Sequence, residues 1–340
     1  MKISKRKLRY PISPSLYQYL THYRRYIDIP IVYDDMLRFT GAMPYENPDG
    51  EETLWLTVMY PHEVREEIYP KLKRIYAELK IGGDMIMSDH LVIDRVDYGE
   101  FGNSRPFRVR ITNKFNDNSD YFYVKAVDAS RIYGLELEHI LSPNKIHYIL
   151  KANTLIESHI AGVPGNVFIK EYLPRENTNR VRIAKEFVKF NERCFLRLLG
   201  DMRSVNYVID ITPDFEEIQY RVRPIDFDQQ SYEGNSHVYM AYRCLTNRDV
   251  AKLSFTELNR PSISQYAREE RMQTINRAAT ESQRLTALMK IMARDELSPP
   301  AKLKSLSEQL NEIHHTDVFT NCTSMGDLTR IHIDKVLQQT

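Results

Sequence analysis

Asp201 and Asn206 stand five positions apart in Gly200-Asp201-Met202-Arg203-Ser204-Val205-Asn206, and Pro224-Ile225-Asp226-Phe227-Asp228 adds two carboxylates further along, after an apolar run. A carboxylate that orients or deprotonates an attacking hydroxyl, with an amide and a second carboxylate that hold magnesium on nucleotide phosphates, is the layout of a phosphoryl-transfer site. The elements between must bring these groups together. Tyr207 to Asp210 and Ile218 to Ile225 are rich in Tyr, Val and Ile and read as short strands, and Thr212-Pro213-Asp214 reads as a turn. A hairpin there returns the chain and puts Asn206 and Asp226 at the same end of the site.

The stretch from Leu199 to Asp228 resembles the catalytic segment of the protein-kinase-like superfamily, including its aminoglycoside-type phosphotransferase branch. Asp201 and Asn206 match the family's Asp, four residues, then Asn; Asp226-Phe227-Asp228 matches its Asp-Phe-Gly with the glycine replaced. Leu199 also stands where the family usually has a His. The resemblance implies that Asp201 acts on the acceptor hydroxyl, that Asn206 and Asp226, with Asp228, hold Mg2+, and that Arg203 in the same loop engages the transferred phosphate or an anionic substrate. A loop salt bridge is the plain alternative for Arg203.

Upstream, Met85 to Asp97, Phe107 to Thr112 and Asp120 to Asp128 read as three strands, the first two joined by a loop containing Gly99 and Gly102. Lys125 sits among apolar and aromatic neighbours on the third. Glycines let backbone N–H groups approach phosphate oxygens, and a lysine on a rigid strand supplies a fixed positive charge. The order resembles the small lobe of a kinase-like protein, which assigns Gly99 and Gly102 to the phosphate loop and Lys125 to the α and β phosphates of ATP. A lysine guarding an edge strand is the plain alternative.

The resemblance calls next for a helix with an acid that holds the lysine. Ser130 to Leu141 offers Glu138, preferred here to Glu136, and Ser142-Pro143 looks like the start of a second helix running to about Ala152. Thr154 to Gly162 and Asn166 to Leu173 flank Val163-Pro164-Gly165 as a hairpin. The second of these strands matches the hinge between lobes, making Glu171, Tyr172 and Leu173 candidate adenine contacts. Arg182 to Leu199 then reads as a helix with Ile183, Phe187, Phe190, Cys194 and Leu198 on one face.

The expected architecture is α+β: a two-lobed kinase-like fold with an N-terminal α/β accessory segment. Residues 1–84 form the accessory segment, 85–173 the small nucleotide-binding lobe and 174–340 a mainly helical large lobe carrying the catalytic loop. Gly82-Gly83-Asp84 marks the first boundary, after a helix from His62 to Leu79. Pro261 to Ala293, Ala301 to His314 and Met325 to Leu337 carry helical periodicity.

Composition narrows the function classes. The 47 Lys and Arg against 46 Asp and Glu leave a net charge of +1, which removes any global electrostatic case for nucleic acid. The Tyr- and Arg-rich stretch from Tyr10 to Tyr33 is the one segment that offers stacking rings with cations, and an amphipathic helix around Ser15 to Tyr26 is its plainer reading. Three separated cysteines make neither a disulfide framework nor a zinc pattern. No apolar run approaches the ~20 residues that span a bilayer, and the basic start lacks the apolar core of a secretory signal; a cytoplasmic protein is expected. The reading is an ATP- and Mg2+-dependent phosphotransferase acting on a hydroxyl acceptor, small molecule or protein. A nucleotide-binding pseudokinase, an AMP-transferring scaffold and a nucleic-acid or protein-interaction module are the alternatives.

Overall fold

Phe107, Val109 and Ile111 alternate with Arg108, Arg110 and Thr112, the period-two pattern of a strand with one buried face. In the computed structural model, which describes residues 7–47, 50–81, 90–214 and 218–338, that run is an inner strand of a seven-stranded sheet. The chain divides into two compact units: Met1–Asp128 with Ile146–His159, and Ala129–Lys145 with Ile160–Thr340.

In chain order the first unit contains α1 (Pro14–His22), β1 (Gly41–Glu46), β2 (Glu52–Met59), α2 (His62–Ile81), β3 (Leu91–Gly99), β4 (Phe107–Asn113), β5 (Asn118–Ala126), β6 (Tyr148–Lys151) and β7 (Thr154–Ser158). Neighbours are antiparallel throughout, in the order β1-β2-β3-β4-β5-β7-β6. A register shift between Ile93 and Arg95 changes the phase of β3, so Val96 and Tyr98 join Leu91 and Ile93 on the buried face. Ile68, Leu72, Ile75 and Leu79 of α2, spaced by three and four, belong to the same core as Phe107, Val109, Phe122, Val124 and Ile156. Fully burying each such side chain stabilises the fold by about 1.5–3 kcal/mol.

The second unit holds α3 (Ala129–Leu141), β8 (Val163–Pro164), α4 (Gly165–Val167) continued by a π-helical turn at Phe168–Tyr172, α5 (Arg180–Arg197), β9 (Tyr207–Pro213), β10 (Ile218–Pro224), α6 (Arg248–Thr256), α7 (Arg260–Thr280), α8 (Ser282–Met292), α9 (Pro300–His314) and α10 (Met325–Gln338). Its strands form a small antiparallel sheet, β10-β9-β8. Ile183, Phe187, Phe190 and Cys194 of α5 are buried along one stripe. Charges inside this unit are paired: Glu138 of α3 with Arg197 of α5, Glu136 with Arg284 at 2.7 Å, and Arg193 with Glu186 at 2.8 Å and Glu270 at 3.3 Å.

Three expectations about elements are corrected. Residues 41–81 are not an accessory segment: Trp55, Leu56 and Thr57 of β2 pair with Gly99, Tyr98 and Asp97 of β3, which makes both sides of the expected boundary one sheet. Gly82-Gly83-Asp84 and Met85 lie outside the described residues. The helix expected from Ser142 to Ala152 is replaced by irregular chain and β6, because Ile149 joins the sheet core opposite Ile156 and that pairing outweighs a local cap signal. The strand expected from Asn166 to Leu173 is helical. Gly165, Phe168 and Leu173 are its buried positions, which suits one face of a helical turn rather than alternation.

Candidate functional site

The loop carrying Asp201 is built from the end of α5. Leu198 closes that helix in the left-handed conformation (φ 55°), and its N–H is bonded to the Phe195 carbonyl. Gly200 follows where a Cβ would come within 2.9 Å of Val238 and 3.2 Å of the Gln229 carbonyl, so the close approach requires glycine. Asp201 is itself left-handed (φ 57°), and its N–H donates to the Val238 carbonyl at 3.1 Å. Thr246 and Asn247 pin the rest: Thr246 Oγ1 accepts the Ser204 N–H at 3.0 Å, and Asn247 Nδ2 donates to the Met202 carbonyl at 2.8 Å.

Asn206 closes the loop by donating Nδ2 to the Asp201 carbonyl at 2.7 Å, and its own carbonyl accepts the Ile225 N–H at 3.0 Å. The β9–β10 register ends with Tyr207 opposite Pro224. The hairpin therefore sets Asn206 beside the start of Ile225-Asp226, as the sequence pattern predicts. Burial pushes the Asp201 carboxyl above its ordinary range and the Asp226 charge adds to this, whereas Arg203 opposes both. Arg203 grips Asp201 with Nη2 on Oδ2 at 2.9 Å and Nε near Oδ1 at 2.8 Å. Arg203 thus forms a salt bridge within the loop.

Asp226 and Asp228 meet a residue that the sequence reading missed. Arg131 of α3, 2% exposed, places Nη1 2.9 Å from Asp226 Oδ1 and 2.6 Å from Asp228 Oδ1. Asp226 Oδ1 also accepts the Asp228 N–H at 3.1 Å. Between the two acids Phe227 is fully buried against Gly134, where a Cβ would lie 3.0 Å from that of Phe227. An arginine in an apolar helix run is the one sequence signal that pointed here. Asn206, Asp226 and Asp228 are oxygen donors of the kind that Mg2+ takes, so the set fits the ion in kind. Among the described residues no group of three or more His, Cys, Asp or Glu forms a metal cluster.

The remaining predicted residues are placed differently from expectation. Glu138 is fully buried, with Oε1 accepting from Asn144 Nδ2 at 3.0 Å and Oε2 paired to Arg197, so both its oxygens are occupied within the second unit. Glu136 receives three N–H contacts from Arg284. The acid that Lys125 meets within its own unit is Glu157, with Nζ to Oε2 at 2.7 Å and both side chains buried. Glu157 lies on β7, which pairs with β5, so its proximity comes from sheet pairing and not from chain distance. Since β5 is flanked by β4 and β7, Lys125 is not an edge-strand lysine.

Gly99 and Gly102 also change meaning. The Gly99 N–H donates to the Pro106 carbonyl at 2.8 Å, and a Cβ on Gly99 would press on Phe101 and Trp55, so this glycine serves aromatic packing. Gly102 is a turn glycine (φ 87°) in open space. Glu171, Tyr172 and Leu173 do not form an open hinge strand. The Leu173 N–H donates to the Phe168 carbonyl at 2.9 Å, and the Glu171 and Tyr172 carbonyls accept from Arg175 Nε at 2.8 Å and Thr178 Oγ1 at 2.6 Å. These three backbone groups of the segment assigned to adenine are satisfied internally.

Among the described residues no helix is long and apolar enough to cross a membrane. No protein-family model and no curated protein matches the chain. Among solved structures, the chain is similar to titin kinase with its flanking domains, at 13% identity and a TM-score of 0.30 over 72% of this chain and 54% of that one. It is similar at the same identity and TM-score to the autoinhibited serine kinase domain of the giant muscle protein titin, over 72% of this chain and 92% of that domain.

Proposed function

We propose that this chain is a kinase-like phosphotransferase that moves the γ-phosphoryl group of ATP, with Mg2+, to a hydroxyl acceptor. The observation that carries the reading is the Ile225 N–H bonded to the Asn206 carbonyl, which holds Asp226 beside the loop of Asp201 and Asn206. Asp201 would orient the acceptor hydroxyl and take its proton. A carboxyl raised by burial is better matched to that task than an ordinary aspartate, because its conjugate base binds a proton more tightly. Arg203 positions Asp201 through both oxygens, and Asn206 fixes the loop through the Asp201 carbonyl. Asn206, Asp226 and Asp228 would hold Mg2+, which neutralises charge on the phosphates when bound. Lys125 is assigned to the α and β phosphates on the family resemblance alone.

One observation favours a second reading, a nucleotide-binding module that transfers nothing: Arg131 already holds one oxygen of Asp226 and one of Asp228. Thermal unfolding with ATP or ADP, with and without Mg2+, separates the cases. A ligand confined to the folded state stabilises it by about 2.7 kcal/mol at a hundredfold excess over Kd. A Mg2+-dependent rise in Tm that Lys125→Ala loses, together with ADP release, supports the transferase. Pyrophosphate release instead identifies AMP transfer. A rise without any product identifies the binding module, and no rise at millimolar nucleotide removes the nucleotide site.

A further inference from the structure

Asp228 stands where the resembling family has glycine, and its side chain changes the site. A single nitrogen, Arg131 Nη1, bonds one oxygen of Asp226 and one of Asp228 at once. The clamp is held from several sides. The Asp228 N–H fixes the Asp226 oxygen, Phe227 is buried between the two acids, and Ser130 Oγ, next to Arg131, donates to the Gln230 carbonyl at 2.6 Å. Charge-assisted bonds of this length are among the strongest a protein makes, and each lies on a carboxylate that would hold the cation.

We infer that Arg131 is a built-in competitor for the cation seat: its guanidinium holds one oxygen each of Asp226 and Asp228, and a divalent cation enters in competition with it for those carboxylates. The inference rests on the phosphotransferase reading of the two acids. What a cation must overcome is the loss of the two hydrogen bonds from Arg131 to the acids. The first turn of α3, which carries Arg131, is then the element that responds to cation binding. The consequence is a free protein with weak affinity for divalent cations despite three oxygen-donor side chains in sequence reach.

The test is Mn2+ titration of the full chain without nucleotide, read from the electron-paramagnetic signal of free Mn2+, in wild type and Arg131→Gln. The variant is expected to bind Mn2+ about tenfold more tightly or better. Equal affinity overturns the competition and leaves the metal reading standing. No bound Mn2+ in either protein, with or without ATP, overturns both. Because Arg131→Gln leaves two acids without their cation, a measurement on the wild type accompanies it. With 15N-labelled arginine, the Arg131 side-chain resonance, assigned by its absence in Arg131→Lys, is expected to move as Mg2+ saturates the site. A resonance unmoved at saturation overturns the inference.

Discussion

The Ile225 N–H meets the Asn206 carbonyl at 3.0 Å, just past the last paired residues of the β9–β10 hairpin, Tyr207 and Pro224. This bond makes a loop and a strand end into one rigid piece. Asp201 reaches the same piece through the Asn206 amide, and Asp226 follows directly after Ile225. The start of the Asp226 segment is thereby fixed beside the loop by backbone pairing, and Asp201 joins it through the Asn206 side chain.

If Asp201 is the base, Asp201→Asn lowers turnover by about 10²–10⁴-fold, the usual weight of a positioned proton acceptor. The nucleotide-induced rise in Tm stays, since the substitution is isosteric and Asn can still accept from Arg203. The acid limb of the wild-type rate profile should lie above the ordinary aspartate range, because burial raises this carboxyl, and activity should rise with pH through it. Turnover within twofold of wild type for the Asn variant would remove Asp201 from the chemistry.

Gly134 lies within α3, where Ala ordinarily favours the helix by about 1 kcal/mol. Here its Cβ would stand 3.0 Å from Phe227 Cβ and 3.2 Å from Gln230 Cβ, on both sides of Asp228. Gly134→Ala is therefore expected to destabilise the protein by about 1–3 kcal/mol, the cost of overpacking, despite its better propensity. Urea unfolding checks the sign, and a more stable variant would show that the Asp226–Gln230 segment yields.

The hairpin, the helix before the Asp201 loop and the strands around Lys125 were legible because each carries its own period: alternation at Phe107, Val109 and Ile111, and a three-and-four spacing at Ile183, Phe187, Phe190 and Cys194. The partners of the charged residues were not. Glu157 reaches Lys125 through the pairing of β7 with β5, and Arg131 reaches Asp226 and Asp228 through packing inside the second unit, neither of which leaves a local pattern. Residues 166–173 were misread as a strand because Val, Phe, Ile and Tyr have strand propensity, whereas the burial of Gly165, Phe168 and Leu173 is a tertiary fact.

Glu138 and Arg197 form an ion pair with side chains 0% and 1% exposed, tying α3 to α5. Arg197→Met leaves a carboxylate in the core without its paired cation, supported by Ser142, Asn144 and the charge of Arg193, and is expected to cost about 3–5 kcal/mol. Arg197→Met with Glu138→Leu removes both charges and should recover most of that loss. Equal destabilisation of the single and double variants in urea would mean that packing around the arginine stem, and not the orphaned charge, sets the cost.

His332 gives the chain a pH dependence whose sign follows from its hydrogen bonds. The ring is fully buried in α10, with Nε2 3.0 Å from the Phe195 carbonyl and Nδ1 3.1 Å from His314 Nε2. A carbonyl only accepts, so His332 Nε2 carries the proton; Nδ1 of the neutral ring then accepts from His314 Nε2–H. Protonating His332 would put a charge in a dry site and require His314 to give up its Nε2–H for the other tautomer. Burial accordingly pushes its pKa down to about 3, with the His314 charge acting in the same direction. The unfolded chain takes up this proton near the ordinary pKa of about 6.5. Between those two values it binds a proton that the folded chain does not, so stability falls as pH falls, with a limiting slope of about 1.4 kcal/mol per pH unit from this group. Above about pH 6.5 the contribution is constant. Urea midpoints measured from pH 7.5 to 4.5 should decline in the wild type, and His332→Gln, which offers an amide in the same place and does not titrate, should flatten the decline. An unchanged slope in that variant would mean that other groups carry the acid sensitivity.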